Sequence, residues 1–252
     1  MRSLDVVVLP ALGVPADRYA RLCEVLRDHG LRAHVVDLDA LTRPGGRGGH
    51  GYDDLVAGPV RDAVVAAAGD GPPLLLGHSL GGQVGLLLAA HEPDLVGGLA
   101  LPAAGSVHWR DLEDPARAKR VRVAMWTVGG VTALLGRWPG RRMGFGGDQN
   151  GRLMAQWARA GRSGRWPATD GTPFDPARVT APQLLVHVPG DRDAPASAAR
   201  ALVAGTTGPT EAVALPRAAF RRPRIDHLRW LSDPAPVAAA VAAWWAHAHA
   251  DA

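Results

Sequence analysis

The sequence predicts an α/β protein: a mostly parallel central sheet with helices on both faces and a helical insertion in the middle of the chain. Three observations carry this. Short apolar, β-branched runs alternate with segments of helical spacing, the rhythm of parallel strands joined by right-handed crossovers. One such run, Leu74-Leu75-Leu76, ends in Gly77-His78-Ser79-Leu80-Gly81-Gly82 and leads into a helical pattern from Gln83 to His91. That is a strand, a sharp turn and a helix, with a serine at the apex. From Gly105 to about Asp175 the rhythm breaks. A length of 252 residues fits one domain of ordinary size, long enough to bury a large core.

In chain order, Asp5 to Leu9 is short, β-branched and ended by Pro10, as a buried strand should be. Tyr19 to His29 carries Tyr19, Leu22, Cys23, Val25 and Leu26 at helical spacing, and Gly30 ends it. Ala33 to Leu38 reads as a second strand. Thr42 to Gly51 is a Gly/Arg-rich loop without the Lys-Ser/Thr ending of a phosphate-binding loop. Tyr52 to Ala68 reads as a helix and Val96 to Leu101 as a strand. Within the irregular stretch, Lys119 to Leu135 and Arg152 to Ala160 are helical. The sheet resumes at Gln183 to Val188, followed by a helix from Ala196 to Ala204, a strand from Glu211 to Leu215 and a closing helix from Val237 to His247. Trp244 and Trp245 are expected to anchor that last helix. His247 and His249 stand two apart, which on a helix points them to nearly opposite sides, so no metal pair is expected there.

Composition excludes several classes. The hydrophobic fraction, 47%, is that of a soluble globular chain. The formal charge is only +4, with arginines clustered at Arg137 to Arg142, Arg159 to Arg165 and Arg217 to Arg224. No nucleic-acid motif accompanies them, and they read as a solvated arginine-rich surface. Cys23 is the only cysteine, so no intrachain disulfide forms, and it reads as a small buried hydrophobe. Met1 runs almost directly into a strand, without the basic and long apolar segments of a signal peptide. No apolar run is long enough to span a bilayer. A cytoplasmic protein with no nucleic-acid and no membrane partner is expected.

Gly77 and Gly81 flank Ser79 at minus two and plus two. The reason is steric: strand and helix approach so closely that a Cβ at either position would collide, and the serine is held in a strained conformation that exposes its hydroxyl. With this turn, the stretches Pro10 to Pro15, Ala103 to Ser106, Arg142 to Gly147 and Asp226-His227-Leu228-Arg229-Trp230 resemble the α/β-hydrolase superfamily, and within it a bacterial group of predicted hydrolases of unassigned substrate. The resemblance spans nearly the whole chain, and the serine turn and the last stretch are its specific parts. It implies an α/β-hydrolase fold as a single domain, 1–252, with a cap or lid inserted at about 105–175.

The resemblance also implies a mechanism. A serine hydroxyl needs a base to take its proton, and the base needs an orienting acid. In this fold they follow in the order serine, acid, histidine. Of the histidines beyond Ser79, only His227 lies after the last strand and before the last helix, so it is the expected base. The acid should end the strand Gln183 to Val188. Relatives commonly place it nine residues after the proline that precedes that strand and four before the proline that opens the next helix. Pro182 and Pro195 both give Asp191, which is favoured, while a Gly-x-x-Asp reading gives Asp193 as the alternative. Asp226 is a weaker third candidate. The loser of the first two is expected to start the next helix, where a carboxylate is electrostatically welcome. Backbone amides of Leu80 and Leu12 are expected to form the oxyanion hole. Many relatives have His-Gly where this chain has Pro10-Ala11, which leaves the choice of Leu12 open.

The expected function is a serine hydrolase that cleaves an ester, thioester or amide through an acyl-enzyme. Trp109 and Trp126, in the Trp-rich insertion, are the candidates for lining the substrate pocket, which favours esters of hydrophobic acids. The expected partner is a small-molecule acyl substrate. No metal or organic cofactor is implied. A non-hydrolytic cyclase, acyltransferase or lyase on the same scaffold is the alternative, as is a non-catalytic binding protein that keeps the shell.

Overall fold

The first apolar run folds as β1, Leu4–Leu9, in a computed structural model that describes residues 4–45 and 49–248. Successive side chains of a strand point to opposite faces. Here Val7 and Leu9 enter one buried layer and Val6 and Val8 the other. Burial on both faces is why the run is continuously apolar rather than alternating.

There follow α1 (Ala20–Asp28), β2 (Leu31–Val35), α2 (Leu38–Thr42), α3 (Tyr52–Ala57), α4 (Pro59–Ala67), β3 (Leu74–Gly77), α5 (Leu80–His91) and β4 (Gly98–Pro102). The irregular stretch holds α6 (Pro115–Leu135), β5 (Arg137–Pro139), α7 (Gly140–Met143), β6 (Asp148–Asn150) and α8 (Gly151–Ser163). The chain closes with β7 (Gln183–His187), α9 (Ala196–Leu202), β8 (Thr210–Ala214) and α10 (Ala235–Ala248). Six strands pair in the order β2-β1-β3-β4-β7-β8, every neighbouring pair parallel. One face is covered by α3, α4, α5 and α9, whose Leu55, Val60, Val84 and Leu202 pack on Leu75, Leu99 and Leu185. The other is covered by α1 and α10, whose Leu22, Leu26, Val241, Trp244 and Trp245 pack on Leu74, Leu76 and Val186. The two tryptophans thus anchor the closing helix as expected.

Boundaries differ from the sequence reading where short-range chemistry intervenes. The second strand stops at Val35 because the Asp37 carboxylate accepts the Ala40 amide at 3.1 Å and opens α2, which the sequence pattern did not show. The predicted helix Tyr52 to Ala68 is two helices. Gly58 leaves helical geometry, and Pro59, which has no N–H to give, starts the second. The helix predicted from Lys119 begins four residues earlier, capped by Asp114 through the Ala116 amide at 2.9 Å. The antiparallel pair β5–β6 is too short to show periodicity. Cys23 is half-buried rather than buried. Residues 46–48 of the predicted loop and His249 lie outside the described residues. Among the described residues no helix is long and apolar enough to cross a membrane.

Two glycine contacts fix the serine turn. A Cβ on Gly77 would overlap the backbone of Gly82, and one on Gly81 would overlap the Leu9 carbonyl oxygen at the end of β1. The second clash is with a neighbouring strand, so the turn is locked against the sheet and not only against its own helix. A further close approach lies beside it. Gly13 has φ +69, and a Cβ there would overlap the Gly146 carbonyl oxygen. The loop after β1 and the loop between α7 and β6 therefore lie backbone against backbone.

Candidate active site

Loops at the carboxyl ends of β1, β3, β4 and β7, and the one that follows β8, converge on a single cavity of about 630 Å³. The carboxyl edge is where open parallel sheets bind ligands. α6, the β5–β6 hairpin and α8 form the cavity's other wall through Met125, Val128, Trp138, Phe145 and Trp157. Ser79 stands at its floor, between β3 and α5, with φ 54 and ψ −113. A non-glycine residue pays for a positive φ, and here the turn that imposes it lifts the hydroxyl out of the sheet.

The sequence-predicted groups meet across 148 residues of chain. Ser79 Oγ lies 2.9 Å from His227 Nε2. His227 Nδ1 lies 3.1 Å from each Asp191 carboxylate oxygen. A carboxylate only accepts, so Nδ1 carries the proton. In the neutral ring Nε2 then holds a lone pair toward the Ser79 hydroxyl. Asp191 Oδ1 also accepts the Asp193 and Ala194 amides at 2.8 and 3.1 Å. Burial alone would raise the Asp191 pKa, but the His227 bond and charge and those two amides outweigh it, and the carboxyl is held below its usual range. Burial would likewise lower His227, but the bond to Asp191 and its charge outweigh it and hold the imidazole above its usual value.

Asp193 does not reach His227 as a partner. It is exposed and pairs with Arg117 of α6 at 2.9 Å, so it joins two walls of the cavity rather than starting α9. Asp226 accepts the Leu228 and Arg229 amides at 3.1 and 2.9 Å, a local turn that presents His227. Leu80 and Leu12 both line the cavity. The Leu80 amide belongs to the first turn of α5, where amides have no intrahelical acceptor, and Leu12 lies in a turn closed by Val14 N–H to Ala11 O at 3.1 Å.

Trp109 and Trp126 lie outside the cavity, contrary to expectation. Trp109 packs under the Arg110 and Arg122 guanidiniums, at 4.9 and 5.2 Å. Trp126 follows Met125, whose side chain turns inward, and a step of one residue rotates a helix by 100°. It points outward and stacks on Arg162 at 4.8 Å. The tryptophans that line the cavity are Trp138 and Trp157.

Sequence reasoning also missed a second chain of hydrogen bonds. His78 is fully buried, with Nε2 at 2.8 Å from the His227 carbonyl and Nδ1 at 2.8 Å from Tyr19 Oη. The carbonyl only accepts, so Nε2 donates to it. Nδ1 then accepts from the Tyr19 hydroxyl, whose oxygen accepts the Ala11 amide at 2.8 Å. Burial, then the neighbouring His227, push the His78 pKa down to about 3 and keep it neutral. The signal was present, since a tyrosine at a core position must find a partner for its hydroxyl. Gln83 makes a similar tie: it accepts from Tyr52 Oη at 2.6 Å and donates to the Gly105 carbonyl at 2.9 Å.

Donor atoms of Asp191, Asp193 and His227 lie within 4.8 Å of one another, the only such cluster among the described residues. They do not fit a metal well. Asp191 and His227 are spent on each other, and Asp193 is neutralised by Arg117.

Residues 6–240 match the sequence model of the "Alpha/beta hydrolase family". A pyrethroid hydrolase of Sphingobium wenxiniae is 27% identical over 247 residues, covering 89% of this chain and 81% of that protein. Among solved structures, a pyrethroid hydrolase from Sphingobium faniae JZ-2 superposes with a TM-score of 0.64 at 22% identity over 99% of both chains. A hydrolase from Pseudomonas aeruginosa superposes at 0.58 and 22% identity, covering 97% of this chain and 91% of that one.

Proposed function

The chain belongs to the alpha/beta hydrolase family, and from that premise we propose that it is a serine hydrolase acting on carboxylic esters with apolar acyl groups. The observation that carries this reading is the strained Ser79, bonded through His227 to a buried Asp191, at the floor of a largely apolar cavity. Ser79 Oγ attacks the ester carbonyl while His227 Nε2 takes its proton. The Leu80 and Leu12 amides hold the oxyanion. His227 then gives the proton to the leaving alcohol, and water enters by the same route in reverse to free the acid. Trp138, Trp157 and Phe145 enclose the apolar part of the substrate. The similarity to a pyrethroid hydrolase supports an ester over a thioester or amide. Fluorophosphonate labelling read by intact mass, followed by a panel of p-nitrophenyl esters, tests the proposal. One adduct and turnover of bulky apolar esters are expected, and an unlabelled, well-folded protein would sink it.

The pH profile follows from the cited shifts. His227 must be neutral to act as base, and its pKa is raised above 6.5, so kcat/KM should climb with pH through a limb centred above that value. Asp191, lowered below 3.8, stays ionised throughout. The linked stability has the opposite sense for the two groups. The His227 contribution is full below pH 6.5 and lost as pH rises through the raised pKa, while the Asp191 contribution is present above 3.8 and lost as pH falls through the lowered one.

In this reading His78 and Tyr19 are positioning residues. They tie the backbone of the base to Ala11, beside the Leu12 oxyanion donor. Tyr19→Phe keeps the ring but strands the Ala11 amide and His78 Nδ1. It should lower kcat about tenfold with KM nearly unchanged, and cost about 1–3 kcal/mol of stability for the unpaired groups. A melt and steady-state kinetics on one ester check both; a change confined to stability would leave the pair merely structural.

A further inference from the structure

The second half of α6 contains a physical inconsistency. From Val123 to Leu135 the helix has no charged residue, so it is apolar or small on every side. A helix with that pattern is normally buried all round. Here only one face is covered, by Met125, Val128 and Thr132 turned inward against α8 and its surroundings. Trp126, Leu134 and Leu135 face outward, with Trp126 64% and Leu134 83% exposed, and Val123 is an exposed residue of the cavity lining. The cavity opens beside them, and its exposed lip is apolar too: Met143, Phe145 and Leu228. Contiguous apolar surface of this kind marks an interaction site.

Charge identifies the occupant. Between residues 115 and 166 stand eleven arginines and lysines against one acidic residue, Asp148. The rest of the chain carries 17 basic and 23 acidic residues. The modest +4 of the whole therefore hides a segment at +10 set on a body at −6. Exposed Arg120 and Arg122 precede the uncharged run, and exposed Arg137, Arg141 and Arg142 follow it. An apolar helix face with a tryptophan, bracketed by arginines, is the pattern of a helix that lies in the interface of an anionic bilayer. A second copy of this chain is a poor occupant, since a two-fold contact would bring two arginine-flanked faces together.

We propose that the outer face of α6, with the adjoining lip of the cavity, docks on anionic lipid surfaces. This reverses the expectation of no membrane partner, which rested on the absence of a spanning segment. Docking sets the cavity mouth against the bilayer, where apolar esters partition. That second step rests on the esterase reading; docking itself does not.

The test is flotation of the full chain with phosphatidylcholine vesicles, with and without phosphatidylglycerol. Binding only to the anionic vesicles, weakened by salt, is expected. The double variant Arg141→Gln/Arg142→Gln should weaken it roughly 10- to 30-fold and Trp126→Gln about tenfold. Neither alters a residue of the triad or of the cavity lining. No binding to anionic vesicles overturns the proposal, as does binding indifferent to Trp126→Gln. A dimer seen by sedimentation and dissolved by Leu134→Gln would assign the face to self-association instead. Ser79→Ala should float like the wild type, so loss of serine labelling and loss of docking are separate results.

Discussion

Replacing Ser79 by alanine is expected to abolish fluorophosphonate labelling and lower kcat/KM for an apolar ester by roughly 10,000- to 1,000,000-fold. The size follows from what one oxygen does. In the proposed mechanism it forms the acyl-enzyme, and without it His227 Nε2, 2.9 Å away, has no proton to take. What remains is binding and the oxyanion amides. The fold should survive, because the strain at φ 54 belongs to the turn, and alanine bears it at about the same cost. A thermal melt beside the kinetics separates lost chemistry from lost structure. Retention of even a tenth of the activity would remove Ser79 from the reaction.

Asp191→Asn should lower kcat about 10,000-fold, the loss typical when a triad's acid becomes an amide. The amide no longer holds the proton on His227 Nδ1 as a charged carboxylate does. It also removes what lifts the base: the bond and charge of Asp191 raise the His227 pKa against burial. Residual activity should therefore show its ascending limb at lower pH than the wild type. Asp193→Asn makes the contrast. It breaks an exposed pair with Arg117, worth about 1 kcal/mol or less, and should change kcat by less than about threefold. Side-by-side pH–rate profiles of the two variants check this. Equal losses would mean that the acid was chosen wrongly.

The sheet and the serine turn were legible in the sequence because each rests on a local rule, whereas the order of the serine's partners came only from the family resemblance. Buried parallel strands are continuous apolar runs, and Gly77 and Gly81 mark a clash that any folded version must avoid. Asp191 was favoured over Asp193 only by counting from prolines. The structure gives a physical ground for that choice: the Asp193 and Ala194 amides turn back onto the Asp191 carboxylate. The pocket tryptophans were not legible. Whether Trp126 or Met125 faces inward depends on how α6 rolls against α8, a tertiary fact without a local signature. The Tyr19–His78–His227 chain was hidden for the same reason, since its members lie 59 and 149 residues apart.

The backbone contact between Gly13 and Gly146 bears on how such a protein could change its diet. Phe145, which shapes the pocket, precedes Gly146; Leu12, beside the serine, precedes Gly13. The two loops are pressed together backbone on backbone, with the Leu12 side chain lying on Gly146, so whatever reshapes one is transmitted to the other. Random drift around Phe145 would tend to alter reaction rate and substrate preference together. A directed-evolution campaign would do better to hold both glycines fixed and diversify the far wall, along α6.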